Sequence, residues 1–191
     1  MDKNKELAKN TAIITVGRIS TQFVSFLLMP LYTTVLSTSE YGIVDLIVTY
    51  TSLLLPIVLF QVDQALFRFL VDVRGNENRK REIISTTFIF ALLQLIVITV
   101  LFSLVQGVVR AEYKWFLLLN VLATVLENMM LQIARGIGNN AAYAFGSFFS
   151  SLCQIVGNII LLVIFQFGVV GMLTATIMAH FLTAIFPLPM P

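Results

Sequence analysis

The chain has 191 residues, of which 58% are hydrophobic and only 12% charged, with a mean hydropathy of +0.93. A soluble domain of this size has too small an interior to hide so much apolar surface, and no polar stretch exceeds about a dozen residues, which excludes a separate folded enzyme domain outside a membrane. Twelve basic against ten acidic residues, a net charge of +2, is too even a balance for a nucleic-acid partner.

A helix crosses the hydrocarbon core in about 20 residues at 1.5 Å each, and apolar runs of that length predict an all-α polytopic membrane protein with six transmembrane helices. Residues 1–10 are a short polar tail in which Asp2 and Glu6 stand among Lys3, Lys5 and Lys9. Arg18 interrupts the apolar run behind the tail and no small-x-small cleavage site precedes Pro30, so the segment reads as an anchor and not as a removable signal. The predicted spans cover 11–36, 43–71, 83–105, 115–134, 142–165 and 168–186, followed by a proline-rich ending at 187–191. A barrel would need strictly alternating segments of about ten residues, whereas these runs are continuous and twice as long. The lysines of the tail, with Arg74, Arg79, Lys80 and Arg81 in the second connection, place both on the cytoplasmic side of a cell membrane, and the first connection, 37–42, has no Lys or Arg.

Polar residues in hydrocarbon turn toward protein or water, so their spacing marks the inward faces. On the first span Thr11, Thr15, Arg18, Gln22, Ser25 and Tyr32 form one line. On the second, Asp45, Thr49, Ser52 and Asp63 share a face if the helix is continuous, with Pro56 as a kink, and Gln61, Gln64 and Arg68 form a neighbouring line. The fourth span carries Asn120, Thr124 and Asn128 beside Glu127, and the fifth Ser147, Ser151, Gln154 and Asn158; the third is nearly bare. Any one stripe reads first as hydrogen bonding between helices, but four of them accompanied by ionisable groups predict a hydrated cavity lined by spans one, two, four and five. Asp45, Arg68 and Arg135 lie near helix ends, where a charge reaches the surface cheaply. Arg18, Asp63 and Glu127 are deeper: they form either a static ion pair or an arginine that accepts an anionic substrate while a carboxylate balances or gates it.

Other features read as structural. Cys153 stands alone in an apolar stretch and packs, and His180, flanked by Thr176 and Thr183 without a carboxylate or cysteine nearby in sequence, is assigned a packing role and no metal. Gly136 to Ala141 imitates a dinucleotide fingerprint but follows no strand, so no cofactor is expected.

The stretch from Lys9 to Asp72 contains Lys9-Asn10-Thr11, Leu28-Met29-Pro30-Leu31-Tyr32-Thr33-Thr34, Ser39-Glu40-Tyr41-Gly42 and Asp63-Gln64-Ala65-Leu66-Phe67-Arg68-Phe69, with Arg135-Gly136 and Gly168-Val169-Val170-Gly171 further on. It resembles the oligosaccharide-lipid flippases of the MATE-like (multidrug/oligosaccharidyl-lipid/polysaccharide) superfamily. The resemblance implies a transporter and not an enzyme, moving an oligosaccharide on a polyprenyl pyrophosphate carrier across the cytoplasmic membrane, with membrane lipids as its other partner. It makes Arg18 and Arg68, with Gln22 and Asn128, the candidate substrate contacts, and Asp63 and Glu127 the charge-balancing or gating groups. Such transporters are built from two six-helix halves. This chain offers one, which is read as a chain cut short or, alternatively, as one copy of a homodimer. A cation-coupled multidrug exporter of the same superfamily and an inactive fragment or assembly partner are the competing functions.

Overall fold

Apolar runs without turn residues make helices, and their ends are set by caps. The computed structural model describes residues 28–104 and 111–185, together with residues 11, 12, 15, 16, 19, 22, 23 and 26. Among these residues the chain is all helical, without strands. Every described residue between 11 and 35 belongs to a first helix, α1. Ser37 then starts α2 (Thr38–Leu59) with a capping box: its hydroxyl accepts from the Glu40 N–H, while the Glu40 carboxylate accepts from the Ser37 N–H at 2.9 Å.

The span expected over 43–71 is two helices. Pro56 sits inside α2, yet the helix runs through it to Leu59, and the chain turns at Phe60 and Gln61, both left-handed with φ of 45° and 59°. A new helix, α3 (Val62–Asp72), begins there, and the Gln61 carbonyl accepts from the N–H groups of Gln64 and Ala65. The interruption breaks the phase on which Asp45 and Asp63 were expected to share a face. Neither Phe60 nor Gln61 is glycine, so the turn has no compositional signal.

The remaining helices are α4 (Glu77–Leu104), α5 (Lys114–Gly136), α6 (Asn140–Asn158) and α7 (Gly168–Ile185). The Asn139 side chain caps α6 by accepting from the Ala142 N–H. The far end of α6 widens into a π-helical turn over Ile159–Ile164, closed by a bond from Phe165 N–H to the Ile160 carbonyl. A tight hairpin follows, as expected, with left-handed Gln166 and Gly168. Among the described residues five helices are long and apolar enough to cross a membrane: α2, α4, α5, α6 with its π turn, and α7.

α5 and α7 form the centre of the bundle. Leu117, Val121, Val125, Met129 and Ile133 of α5 and Met172, Leu173 and Ile177 of α7 are buried, α5 is surrounded by α2, α3, α6 and α7, and α7 also packs on α2 and α6. Around this pair the outer helices show apolar side chains to their surroundings: Phe145, Phe148, Leu152 and Val156 of α6 recur at steps of three and four on one exposed face. Only Ala91 and Leu95 of α4 are buried. Apolar surface on that scale is stable against lipid tails and not against water.

Candidate functional site

Polar side chains inside the bundle sort into three groups. The first lies between the two central helices. Glu127 of α5, 6% exposed, contacts Nδ1 of His180 on α7 through a carboxylate oxygen. Which of the two donates follows from the imidazole tautomer. Thr176 and Thr183, on the same side of α7, donate back to the Met172 and Ala179 carbonyls, so each hydroxyl is satisfied within its own helix. The packing role expected for His180 is therefore corrected: it has a carboxylate partner, 53 residues earlier in the chain. Only helix packing brings the two together.

The second group ties helices by amide hydrogen bonds. Asn120 Nδ2 of α5 donates to Thr51 Oγ1 of α2 at 3.0 Å, Asn158 Nδ2 of α6 to the Tyr32 hydroxyl of α1 at 2.7 Å, and Gln154 Nε2 of α6 to Thr176 Oγ1 of α7 at 3.2 Å. Other members of the predicted stripes bond along their own helix: Thr124 to the Asn120 carbonyl, Ser147 to that of Tyr143 and Ser151 to that of Ser147. A cavity of about 230 Å³ opens beside these bonds, lined by Tyr32, Tyr41, Asp45, Gln154 and Thr176 among apolar side chains. Its walls are α1, α2, α6 and α7; α5, expected to line a cavity, contributes nothing to this one.

The third group closes the end of the bundle where α3, α5 and α6 meet. Arg74, just past α3, donates Nε to the Gly136 carbonyl at 2.8 Å and Nη2 to that of Arg135 at 3.3 Å. These are C-terminal carbonyls of α5, which have no partner within the helix. Gly136 is required here, because a Cβ at this position lies 2.7 Å from the Cβ of Leu70. The Arg135 guanidinium stands 4.2 Å from the centre of the Phe67 ring and 6.0 Å from that of Tyr143. Arg79 and Lys80 nearby in sequence pair with Glu82 and Glu77 on the surface of α4.

The residues singled out in the sequence are distributed across this frame. Arg18 lies outside the described residues. Gln22 is exposed on α1, Arg68 is exposed on α3, and Asn128 is partly buried on α5 beside Glu127. Asp63 is in the first turn of α3, where a carboxylate faces the positive end of the helix, and it accepts from Gln64 Nε2 at 3.1 Å. Among the described residues no ion pair joins Asp63 to Arg68.

Residues 7–188 match the family described as polysaccharide biosynthesis protein. The comparisons with curated proteins and with solved structures find no match. Membrane-length apolar helices with polar groups bonded inside the bundle, matched to that family over nearly the whole chain, identify this as a multi-pass membrane protein belonging to the polysaccharide biosynthesis family of MATE-like flippases.

Proposed function

We propose that the chain moves a polyprenyl-pyrophosphate-linked oligosaccharide across the cytoplasmic membrane, as part of a transporter completed by a second half or a second copy. The family match over residues 7–188 is the observation that carries this reading. The loop with Arg74, Arg79, Lys80 and Arg81 faces the cytoplasm, as does the N-terminal tail. Arg18 and Arg68 contact the pyrophosphate, an arginine fork matching two phosphate oxygens, and Gln22 and Asn128 supply further hydrogen bonds. Asp63 and Glu127 balance charge or gate the path. The contact with His180 joins Glu127 of α5 to α7, the two central helices.

The test is export of lipid-linked oligosaccharide in cells that depend on this protein, with Arg18→Ala and Arg18→Lys compared at equal protein levels. Loss with Ala and partial activity with Lys is expected. Normal export by both removes the pyrophosphate role of Arg18, and normal export in cells lacking the protein altogether removes the transport reading. A cation-coupled multidrug exporter is the alternative, supported by one observation: the cavity that sets Asp45 beside Tyr32 and Tyr41, a carboxylate with aromatic rings suited to an organic cation. Efflux of such a cation, with no effect on the lipid-linked sugar, would decide for it.

A further inference from the structure

Among the described residues Arg135 is an arginine without an acidic partner. It sits in the last turn of α5, partly buried, with its guanidinium against the face of Phe67 from α3 and near the ring of Tyr143 from the first turn of α6. A cation held over a ring face is bound through its charge, and this contact takes up none of its N–H donors in hydrogen bonds. Three helices thus fix one side chain whose long stem otherwise carries large rotamer freedom. Among the described residues no carboxylate pairs with it, whereas Arg79 pairs with Glu82, Lys80 with Glu77 and His180 with Glu127. Asp72, at the end of α3, is exposed and forms none of them.

The end of a helix is normally a poor place for an anion, because its last carbonyls carry partial negative charge. Here they are occupied. Arg74 takes the carbonyls of Gly136 and Arg135, and the N–H groups of Ile137, Gly138 and Asn139 take those of Ile133, Arg135 and Ala134. Arg74 spends its donors neutralising the helix terminus, and the charge of Arg135 is left over. The position is the end of a membrane-length helix, the level of lipid headgroups, and the commonest anion at that level is a phosphoryl group.

We propose that Arg135, clamped by Phe67 and Tyr143, binds the phosphoryl headgroup of a membrane lipid at this end of the bundle, its fork engaging two phosphate oxygens. The group has two sources: the diphosphate of a polyprenyl carrier, which deepens the transport reading and rests on it, or an anionic phospholipid, which does not. Native mass spectrometry of the full chain separates them, by titrating polyprenyl diphosphate and phosphatidylglycerol against a phosphatidylcholine background. Arg135→Gln is expected to weaken binding about tenfold, the loss of a charge-assisted contact. Phe67→Leu, which keeps the charge and removes the stack, is expected to weaken it about threefold. Arg79→Gln, on an exposed residue paired with Glu82, is expected to leave it unchanged.

Loss for the diphosphate alone assigns the site to the carrier, and equal loss for both lipids assigns it to headgroups in general. Unchanged affinity for both lipids in Arg135→Gln overturns the proposal, and so does an Arg79→Gln loss as large as that of Arg135→Gln, which marks diffuse surface charge. Should Arg135→Gln fail to fold, unchanged binding in Phe67→Leu overturns it. Loss of lipid with Arg135→Gln, together with normal export of lipid-linked sugar in cells lacking the protein, keeps this site and drops the transport reading.

Discussion

His180 Nδ1 and a carboxylate oxygen of Glu127 are in direct contact, fastening α7 to α5 in the middle of the bundle. Removing one partner leaves the other buried without its bond, whereas removing both takes away the need for one. Glu127→Leu and His180→Leu are each expected to destabilise by about 1–3 kcal/mol, and the double variant by clearly less than the sum. His180→Leu is the costlier single change, since the carboxyl it strands is the more deeply buried of the two. Unfolding in mixed micelles by SDS titration measures all three; strict additivity would show that the contact carries no coupling.

Tyr32 and Asn158 test the same asymmetry between α1 and α6. The Asn158 Oδ1 atom is already buried without a hydrogen-bond partner, so the bond from its Nδ2 to the tyrosine hydroxyl is what its amide retains. Tyr32→Phe is expected to cost about 1–2 kcal/mol, near the upper end for polar contacts between membrane helices. Adding Asn158→Leu to that variant should recover most of the loss in the same SDS titration. A double variant less stable than Tyr32→Phe would contradict this account.

At Gly136 the obstacle is backbone proximity. Gly136→Ala is expected to destabilise by about 1–3 kcal/mol through overpacking. Because Leu70 Cβ at 2.7 Å and Leu70 Cδ1 at 2.9 Å are both in the way, Leu70→Ala should give only partial relief, while Leu70→Gly removes the collision at the cost of packing. Thermal unfolding of the paired variants checks the order. Full rescue by Leu70→Ala would mean that the branched end of the leucine, and not the separation of α3 and α5, sets the limit.

The turn at Phe60 and Gln61 makes a prediction about backbone alone. A left-handed conformation costs an ordinary residue about 1–2 kcal/mol, and glycine avoids that cost but gives back about 0.5–1 kcal/mol in entropy. Gln61→Gly is therefore expected to be neutral or mildly stabilising, and Gln61→Val clearly destabilising, in thermal unfolding of the purified protein. A stable valine variant would indicate that α2 and α3 join into one continuous helix.

The sequence made the helices legible because apolar length and polar punctuation are local properties. The expected 115–134 and 168–186 became Lys114–Gly136 and Gly168–Ile185, and the tight hairpin between the last two helices was visible in Gln166-Phe167-Gly168. The split of the second span was not, since neither turn residue is glycine and the visible proline lies four residues upstream. Polar periodicity located inward faces without saying what they meet: Asn120 and Asn158 reach other helices, whereas Ser147, Ser151 and Thr124 bond to their own backbone. The Glu127 partner was hidden for a different reason. Contact between residues 53 positions apart depends on which helix neighbours which, and α5 and α7 become neighbours only once the bundle is assembled.

The sparse burial of α4 has a consequence for the bilayer around it. Only Ala91 and Leu95 are fully buried, with Ile83, Ile84, Phe88, Ile98 and Phe102 half-buried against the core, so much of the rest of its circumference meets lipid. Its apolar stretch 83–104 is about 33 Å long at 1.5 Å per residue, against about 30 Å for a typical hydrocarbon core. The charged turn from Glu77 to Glu82 belongs among the headgroups, so a bilayer thinner than this stretch is met by tilt of α4, the outer helix with the fewest buried side chains.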